Sequence, residues 1–330
     1  MSKKTQATIT AFGAWVPERI LTNHDLEQMV ETSDEWIVTR TGIQERRIAA
    51  DSEYTSTMAY RSALDAIQRA GIEPAEIDAV LVATMTPDFL CPSTAALVQH
   101  QIGAKNACAL DIQAACSGFL YALSIAKAWV ESEAFKNVLV IAAEKNSAFI
   151  DYTDRNTCVI FGDGSGACVV QANRPGYQIN HVYLGADGEQ SELLCIPGGA
   201  SRLPASLETV RCHEHYIKMQ GKELFKHAVR RMETSSKQCL DAAGISEDQI
   251  SWLIPHQANI RIIEAIAKRF SIPWERVVRT IHKYGNTSSA TIPISIVELE
   301  QQDAIKTGDT ILLTAFGGGL TWGSCILTKN

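Results

Sequence analysis

Two short patterns recur in the same order in the first and second halves of the chain. Ala70-Gly71-Ile72 is followed after four residues by Ile77 and an apolar strand pattern, and Ala243-Gly244-Ile245 is followed in the same way by Ile250. A Phe-Gly turn then precedes a second apolar run in each half, at 161–164 and at 316–319. Such matches indicate an internal duplication. We therefore expect two similar halves, residues 1–174 and 175–330.

Apolar periodicity alternates between strand and helix patterns along both halves. Helices are predicted at 58–70, 92–102, 119–130 and 260–270, and strands at 78–85, 107–115, 138–143, 158–161, 166–171 and 252–255. This alternation predicts an α/β protein with a largely parallel sheet. The segment 175–204 is rich in Gly and Pro and is predicted to be a connection with surface hairpins.

Composition excludes several classes of protein. Of the 330 residues, 46% are hydrophobic and 20% are charged, which fits neither a disordered nor a fibrous chain. The net charge of −7 argues against a general nucleic-acid binder. The longest apolar run, 114–130, contains Lys127 and is shorter than a membrane-spanning helix. We expect neither a nucleic-acid partner nor a membrane segment.

Cysteine usage bears on the compartment and on metal binding. The nine cysteines are an odd number, lack paired CxxC spacing and lie mostly in apolar runs, which predicts reduced thiols and a cytoplasmic protein. Residues 212–215 have metal-ligand side chains, but four consecutive residues cannot all face one ion. No metal site is predicted.

Cys116 is the first candidate for chemistry. It lies between a predicted buried strand and a predicted helix, where free helix N–H groups and the helix dipole favour a thiolate. A thiolate in such a turn is suited to nucleophilic catalysis. An ordinary buried core cysteine fits this stretch equally well.

Three further segments lie where strands are predicted to end. His256 follows a strand and precedes an amphipathic helix, Asn286 lies in a turn before another helix, and 317–319 is a triple-glycine turn. Singly, His256 fits a core histidine and Asn286 a turn residue. Their shared position favours function, because α/β folds place their sites beyond strand ends.

Four segments resemble the signatures of β-ketoacyl-[acyl-carrier-protein] synthase III, the condensing enzyme that initiates type II fatty acid synthesis. They are Asp163-Gly164-Ser165-Gly166-Ala167, Pro255-His256-Gln257-Ala258-Asn259, Gly285-Asn286-Thr287-Ser288 and Ala315-Phe316-Gly317-Gly318-Gly319-Leu320-Thr321-Trp322-Gly323. The resemblance runs from the first strand to the last and implies the thiolase-like α/β fold, a duplicated five-layered αβαβα sandwich. It also implies a homodimer that condenses acyl-CoA, expected to be acetyl-CoA, with malonyl-acyl carrier protein. Beyond the coenzyme A thioester substrate it implies no cofactor.

The resemblance gives roles to four residues at the centre of the site. Cys116 matches the cysteine that takes the acyl group, and His256 and Asn286 match the pair that binds the malonyl thioester carbonyl. Gly318 matches the glycine whose N–H joins that of the cysteine in an oxyanion hole. Neutral donors suit decarboxylation, because a carboxylate would repel the enolate that forms.

The resemblance also implies substrate and carrier-protein contacts. Trp36 and Arg155 match the residues that stack on adenine, and the remaining matches are Arg40 and Arg261 for phosphate, Asn259 and Phe225 for the pantetheine tunnel, and Lys226, Arg261 and Lys268 for the carrier protein. Cys91 stands where the family has a phenylalanine lining the primer pocket, which predicts a different primer preference.

Three alternatives remain at this point. The order Cys, His, Asn also occurs in papain-like proteases, although the tryptophan-flanked cysteine signature of that family is absent. A thiolase-fold chain could act as a non-catalytic interaction protein, against which the intact Cys116, His256 and Asn286 argue. A related synthase of secondary metabolites or of HMG-CoA would keep the fold with another nucleophilic substrate.

Overall fold

The structure is a computed structural model that describes residues 5–330. Its strands are β1 Ala7–Trp15, β2 Ile20–Thr22, β3 Glu45–Arg47, β4 Ala79–Ala83, β5 Cys108–Ile112, β6 Asn137–Glu144, β7 Gly164–Ala172, β8 Tyr177–Ala186, β9 Leu194–Cys195, β10 Lys218–Met219, β11 Trp252–Pro255, β12 Thr310–Gly317 and β13 Thr321–Lys329. Its α-helices are α1 Asn23–Glu27, α2 Asp34–Thr41, α3 Thr55–Ala70, α4 Thr94–Ile102, α5 Gly118–Glu131, α6 Arg155–Cys158, α7 Leu207–Arg211, α8 Gly221–Ala243, α9 Ile260–Arg269, α10 Ile281–Tyr284 and α11 Thr291–Gln301.

The strands of the two halves meet in one nine-stranded sheet of order β11-β12-β13-β8-β1-β7-β6-β4-β5. The halves join where β1 and β8 pair over only two residue pairs. In the first half β4 and β6 are parallel, and β7 and then β1 follow antiparallel. In the second half β11 and β12 are parallel, and β13 and then β8 follow antiparallel. The two halves therefore share strand order and direction.

Helices divide the molecule into five layers. Helices α3 and α4 cover the outer face of the first half, α8 and α9 cover the second half, and α5 and α11 lie between the two sets of strands. The core around α5 and α11 contains fully buried residues of both halves, such as Phe119, Ile296 and Leu313. The predicted α/β thiolase-like sandwich is confirmed. The proposed division at residue 174 stays a prediction, and it falls in the turn between β7 and β8.

Glycine ends several helices where the sequence predicts. Gly71 closes α3 with φ of 66° and Gly244 closes α8 with φ of 67°, so both adopt the left-handed conformation that only glycine takes without strain. These two caps belong to the repeated pattern that indicated the duplication.

Three sequence predictions of structure are wrong. The sheet is mixed rather than largely parallel, because β12 and β13 form a hairpin and β7 runs antiparallel to both neighbours. Residues 158–161 form the end of α6 and a turn, because Asp154 caps that short helix, and Phe161 keeps only an isolated bridge to Asn286. Residues 175–204 contain β8, a ten-residue strand inside the sheet.

Within residues 5–330, none of the helices combines the length and the apolar character needed to cross a bilayer.

Candidate active site

Cys116 lies in a 3₁₀ turn, Ala115–Ser117, between β5 and α5. Its side chain is buried, with 4% of the residue exposed. Ala115 adopts φ of 45°, a left-handed conformation that costs a non-glycine residue about 1–3 kcal/mol. The predicted strand-to-helix turn is confirmed, and its strain lies directly beside the candidate nucleophile.

The electrostatics of Cys116 differ from the sequence prediction. Burial raises the pKa of the thiol to about 12, and the negative charge of Glu144 raises it too, while a hydrogen bond with Ser288 acts in the opposite direction. Burial disfavours the charged thiolate, because a low-dielectric surrounding solvates it poorly. The resting group is therefore a thiol, and acyl transfer needs an acceptor for its proton.

The glycine turn between β12 and β13 lies against the backbone of Cys116. A Cβ on Gly317 would lie 2.6 Å from the Cys116 nitrogen and 3.1 Å from its Cβ, too close for any side chain. Gly318 and Ala115 both line the adjoining cavity. Gly318 therefore lines the cavity and Cys116 directly follows a residue that lines it, and the oxyanion hole stays a prediction.

The turn that contains Asn286 is held by its own side chain. Asn286 Oδ1 accepts the N–H of Ser288 at 2.8 Å, which leaves the Nδ2 donor without a hydrogen bond to any of residues 5–330. Ser288 adopts φ of 51°, again left-handed for a non-glycine residue. A buried amide held in this way can donate to a substrate oxygen.

His256 follows β11 and is also buried. Its backbone N–H donates to the Thr314 carbonyl at 2.8 Å, and its Nδ1 lies 2.7 Å from Thr291 Oγ1. Burial lowers the pKa of the imidazole to about 3, so it is neutral near pH 7. The Thr291 hydroxyl has one proton, which it gives either to Nδ1 or to the Ser288 carbonyl 3.1 Å away. In the arrangement in which it donates to Nδ1, Nε2 carries the imidazole proton and can donate to a thioester oxygen.

Ser288 begins a short turn, Ser288–Ala290, that packs against the turn of Cys116. The Ser288 N–H donates to Asn286 Oδ1. Its carbonyl lies 3.1 Å from the Thr291 hydroxyl, whose oxygen lies 2.7 Å from His256 Nδ1. Side chains 170 residues apart in the sequence, from both halves, are thereby brought to one point.

The neutral state of His256 predicts a pH-dependent stability. In the unfolded chain an ordinary histidine takes up a proton below its usual pKa of 6.5, whereas the folded chain resists protonation down to about 3. Stability is therefore lost as pH falls below 6.5, by about 2 kcal/mol at pH 5. The difference in free energy of unfolding between the wild type and His256→Gln, measured in urea, should shrink by about this amount from pH 7.5 to pH 5. If the difference in free energy of unfolding is the same at pH 7.5 and pH 5, folding does not change the pKa of His256.

The residues predicted to bind adenine and phosphate cluster on one surface. The guanidinium carbons of Arg40 and Arg155 lie 4.5 Å and 4.8 Å from the centre of the Trp36 ring. Arg155 is held by the Glu31 carbonyl at 2.9 Å. The indole ring and the two guanidinium groups beside it are all flat. Groups of this kind are suited to stacking on a nucleotide base.

The start of α9 joins this surface. Asn259 Nδ2 donates to the Arg40 carbonyl at 3.0 Å, and Arg261 donates to the Thr39 carbonyl at 3.0 Å. Phe225, on α8, is 37% exposed. Lys226 is exposed and pairs with Glu223, whereas Lys268 is exposed and forms no salt bridge within residues 5–330.

A cavity of about 640 Å³ adjoins the nucleophile turn. Its walls are mostly apolar and include Gly318, Ala115, Phe89 and Leu90. Cys91 is exposed and does not line this cavity within a single chain. The predicted role of Cys91 in primer choice therefore stays a prediction, and its two preceding neighbours are the residues that reach the cavity.

Sequence reasoning missed three polar residues of the site. Ser288 and Thr291 hold the predicted triad together, and Glu144 is a fully buried carboxylate beside Cys116. A signal for Glu144 was present, because this charge ends the apolar strand β6 at the edge where the site lies. Among residues 5–330 there is no group of three or more His, Cys, Asp or Glu side chains arranged to hold a metal ion.

The five layers, the duplicated strand order and a cysteine beneath a glycine turn define a thiolase-fold condensing enzyme. Models of 3-oxoacyl-[acyl-carrier-protein] synthase III and of its C-terminal part match residues 110–188 and 240–329. A β-ketoacyl-[acyl-carrier-protein] synthase III from Chlamydia pneumoniae is 54% identical over 100% of this chain and 98% of the relative.

Solved structures agree. A 3-oxoacyl-[acyl-carrier-protein] synthase III from Aquifex aeolicus superposes with a TM-score of 0.91 at 48% identity, covering 98% of this chain and 99% of that one. The priming β-ketosynthase of the R1128 polyketide pathway gives 0.92 at 33% identity, covering 100% and 98%. The chain belongs to the β-ketoacyl-[acyl-carrier-protein] synthase III family, whose members are condensing acyltransferases.

Proposed function

We propose that this enzyme starts fatty acid synthesis by condensing an acyl-CoA, expected to be acetyl-CoA, with malonyl-acyl carrier protein through an acyl-Cys116 intermediate. The observation that carries the proposal is the packing of the Cys116 turn against the turn Ser288–Ala290, where Ser288 binds Asn286 and lies beside Thr291, the partner of His256. The coenzyme A thioester is a substrate, and the proposed reaction uses no resident cofactor. As a step of fatty acid synthesis with a carrier protein, the proposed reaction takes place in the cytoplasm.

The first half-reaction takes place where Gly318 and the Cys116 turn border the cavity. The sulfur of Cys116 attacks the thioester carbonyl, and the developing oxyanion is stabilised by the N–H groups of Cys116 and Gly318. Removing one such donor typically costs about 100- to 1,000-fold in rate. Collapse of the intermediate breaks the bond to coenzyme A and leaves the acyl group on Cys116. The proton that Cys116 loses is balanced by the one that the departing coenzyme A thiolate takes up, so coenzyme A leaves as a thiol.

The second half-reaction uses His256 and Asn286. Both donate to the malonyl thioester oxygen, so that loss of CO₂ leaves an enolate bound by two neutral donors. The enolate carbon then attacks acyl-Cys116, which forms the new C–C bond and releases the cysteine. The pKa of His256 is lowered to about 3 by burial, so the imidazole is neutral near pH 7 when the malonyl thioester binds.

Primer choice supplies a prediction at Cys91. A phenylalanine here would place a larger side chain next to Phe89 and Leu90, which line the cavity. We expect Cys91→Phe to narrow the accepted primers towards acetyl-CoA, by roughly 10- to 200-fold per excluded methylene. Acylation rates with acetyl-, butyryl- and branched acyl-CoA measure this, with Cys91→Ser as the control. If the relative acylation rates with the three primers are the same in Cys91→Phe and Cys91→Ser, Cys91 does not lie at the primer site.

Carrier-protein docking supplies a prediction at Lys268. An acidic carrier protein must bind a chain of net charge −7, so local basic residues near the tunnel entrance are required. Lys268→Glu should weaken condensation with malonyl-carrier protein, more at low salt, and spare acylation by acyl-CoA. Lys268 is a cleaner target than Arg261, which lies on the proposed phosphate surface, or Lys226, which is paired with Glu223.

The control for this experiment is Lys306→Glu. Lys306 is exposed, pairs with Asp303 and precedes the start of β12, whose other end leads to the glycine turn beside Cys116. The docking face lies elsewhere if Lys268→Glu reduces both activities equally, or if Lys306→Glu has the same salt-dependent effect.

A homodimer is part of the proposal. Strand β5 is an edge of the large sheet, and its residues are only partly covered, although they include Leu110 and Ile112. An uncovered apolar edge strand is a surface that proteins normally pair or protect. Analytical ultracentrifugation should give twice the chain mass, and a monomer at working concentration would contradict this part.

To test the activity, the enzyme is mixed with acetyl-CoA and with malonyl-carrier protein whose carrier is that of fatty acid synthesis. The carrier protein is then analysed by mass spectrometry. We expect 3-ketobutyryl-carrier protein. The 33% identity to a polyketide priming synthase makes such a synthase the second candidate. Activity only with a polyketide carrier protein would favour that candidate and contradict ours.

A further inference from the structure

Glu144 is a fully buried carboxylate to which the two half-reactions above assign no role. It ends β6 and has no exposed surface. Its Oε2 accepts hydrogen bonds from Thr84 Oγ1, Met85 N and Thr86 Oγ1 at 3.2, 3.1 and 2.8 Å. One oxygen of the carboxylate is therefore held by three donors of the segment that follows β4, which leaves the second oxygen to bind another part of the chain.

The second oxygen binds the turn Ser288–Ala290. Glu144 Oε1 lies 3.1 Å from Ser288 Oγ and 2.9 Å from Ser289 Oγ, and both hydroxyls can donate to it. The Ser289 hydroxyl has another acceptor, the Ala83 carbonyl at 3.2 Å, which is farther away than the carboxylate. A carboxylate of the first half of the chain is thus connected to two successive residues of the second half.

This turn determines where the Asn286 carboxamide points. The Ser288 N–H donates to Asn286 Oδ1 at 2.8 Å and so orients the amide group. Ser288 adopts φ of 51°, a left-handed conformation that is strained in a non-glycine residue and persists only where its surroundings hold it. The hydrogen bond from the Ser288 side chain to Glu144 is such a support. Without this support the turn can relax, and the amide then loses the donor that orients it.

The backbone of Asn286 is fixed independently of Glu144. Its N–H donates to the Ile160 carbonyl at 2.9 Å, and its carbonyl accepts the Gly162 N–H at 3.1 Å. Asn146 Nδ2 also lies 3.4 Å from that carbonyl. Loss of the contacts between Glu144 and the turn should therefore leave the Asn286 backbone in place and change the direction of its side chain.

We propose that Glu144 is a positioning residue for condensation: it holds the Ser288–Ala290 turn so that the Asn286 carboxamide presents its Nδ2 donor to the malonyl thioester oxygen. This inference rests on the proposed function and adds to it a residue that acts through Asn286. Acylation of Cys116 uses other donors, the N–H groups of Cys116 and Gly318, and does not need this support. The negative charge of Glu144 raises the pKa of the Cys116 thiol, so removal of the charge gives no reason for slower acylation.

Glu144→Gln reverses the polarity of the group that faces the turn. The Met85 N–H is a backbone donor that cannot rotate, so the amide oxygen of glutamine must face Met85 and its NH₂ group must face Ser288 and Ser289. A donor then stands where two hydroxyls need an acceptor. We expect condensation to be slower by about 10- to 100-fold, the cost of a small misplacement of a group that binds the reacting atoms. Acylation by acetyl-CoA should stay within a few-fold of the wild type.

A second variant breaks the same contacts from the other side. Ser288→Ala combined with Ser289→Ala deletes both hydroxyls and leaves the carboxylate with its three donors near β4. The backbone N–H at position 288 is kept, so only its placement changes. This double serine variant should show the same selective loss of condensation as Glu144→Gln.

Ser62→Ala is the matched control. The Ser62 side chain is fully buried between α3 and β7, and its hydroxyl is hydrogen-bonded to that of Ser165. The substitution therefore removes a buried hydroxyl and one hydrogen bond without changing the Ser288–Ala290 turn. Both acylation and condensation should stay within a few-fold of the wild type.

The experiment measures the two steps separately, with and without the Asn286 carboxamide. Single-turnover acylation by saturating acetyl-CoA is followed by intact-protein mass spectrometry, and condensation is followed after the acyl-enzyme is mixed with saturating malonyl-carrier protein. Both rates are measured again with each substitution placed in Asn286→Ala. There Glu144→Gln should change condensation by no more than a few-fold, because two substitutions that act on one contact are not additive. A merely structural carboxylate would lower the thermal transition without this dependence on Asn286.

Three outcomes would overturn the proposal. Glu144→Gln and the double serine variant could slow acylation as much as condensation. They could slow condensation by the same factor in the wild type and in Asn286→Ala, or they could leave condensation at the wild-type rate. If Glu144→Gln does not fold, as judged by its thermal transition, the double serine variant decides between these results. Absence of any acyl-enzyme in the wild type would instead contradict the proposed function.

Discussion

Cys116→Ala is expected to form no acyl-enzyme and to slow condensation by a factor on the order of 10⁶, the loss seen when a covalent nucleophile is removed. Decarboxylation of malonyl-carrier protein should survive, because its enolate is bound by His256 and Asn286 rather than by sulfur. The substitution removes one buried atom, and the turn around it is held by backbone contacts with Gly317, so the fold should persist. Intact-protein mass and release of CO₂ measure the two activities separately.

Cys239→Ala is the control for this variant. Cys239 is fully buried in α8, and its sulfur donates to the Ser324 carbonyl at 3.4 Å, away from the nucleophile turn. It should acylate at the wild-type rate. A full acyl-enzyme mass in Cys116→Ala would show that another residue is the nucleophile.

Asn286→Asp is expected to reduce condensation by at least about 100- to 1,000-fold while leaving acylation of Cys116 nearly intact. The bond from the Ser288 N–H to Oδ1 can persist in aspartate, so the turn is preserved. What changes is the other end of the side chain, where a free donor becomes a carboxylate oxygen at the position of the developing enolate. The new charge repels the enolate in addition to removing a hydrogen bond.

Asn286→Ala separates these two effects. It loses the donor without adding a charge, so its condensation rate should lie between those of the wild type and Asn286→Asp. Single-turnover rates of acylation and of product formation measure each step. An unchanged condensation rate in Asn286→Asp would mean that Asn286 is only a turn residue.

The triad could be predicted because its members stand inside recognisable segments. Cys116 and His256 come after the strands β5 and β11, whereas Asn286 follows helix α10 and not the strand end that was expected. The turn Ser288–Ala290 lies close to all three. The place of Ser288 in the site could not be predicted from local pattern, because it depends on a contact with Glu144, 144 positions away in the sequence. The burial that raises the pKa of Cys116 could not be predicted from neighbouring residues either, because Gly317 and the turn Ser288–Ala290 of the second half pack against the Cys116 turn.

The fold shows the same division between local and distant causes. The helix caps Gly71 and Gly244 follow from local backbone geometry and agree with the sequence. Strand β8 was missed because its mixed polar and apolar residues are only half buried, and pairing with β13 supplies the order that local propensity does not. The apolar residues at 158–161 do not form a strand. Phe161 pairs with Asn286 in a single isolated β-bridge, which its neighbours do not extend.

The most direct measurement of the central claim is a pulse-chase followed by intact-protein mass spectrometry. The enzyme is mixed with acetyl-CoA, freed of excess reagent, and then supplied with malonyl-carrier protein. The account predicts a gain of one acetyl group per chain, located by peptide mapping on Cys116, and its complete loss in the chase as 3-ketobutyryl-carrier protein appears. An acetyl group on any other residue, or one on Cys116 that malonyl-carrier protein does not discharge, would contradict the account.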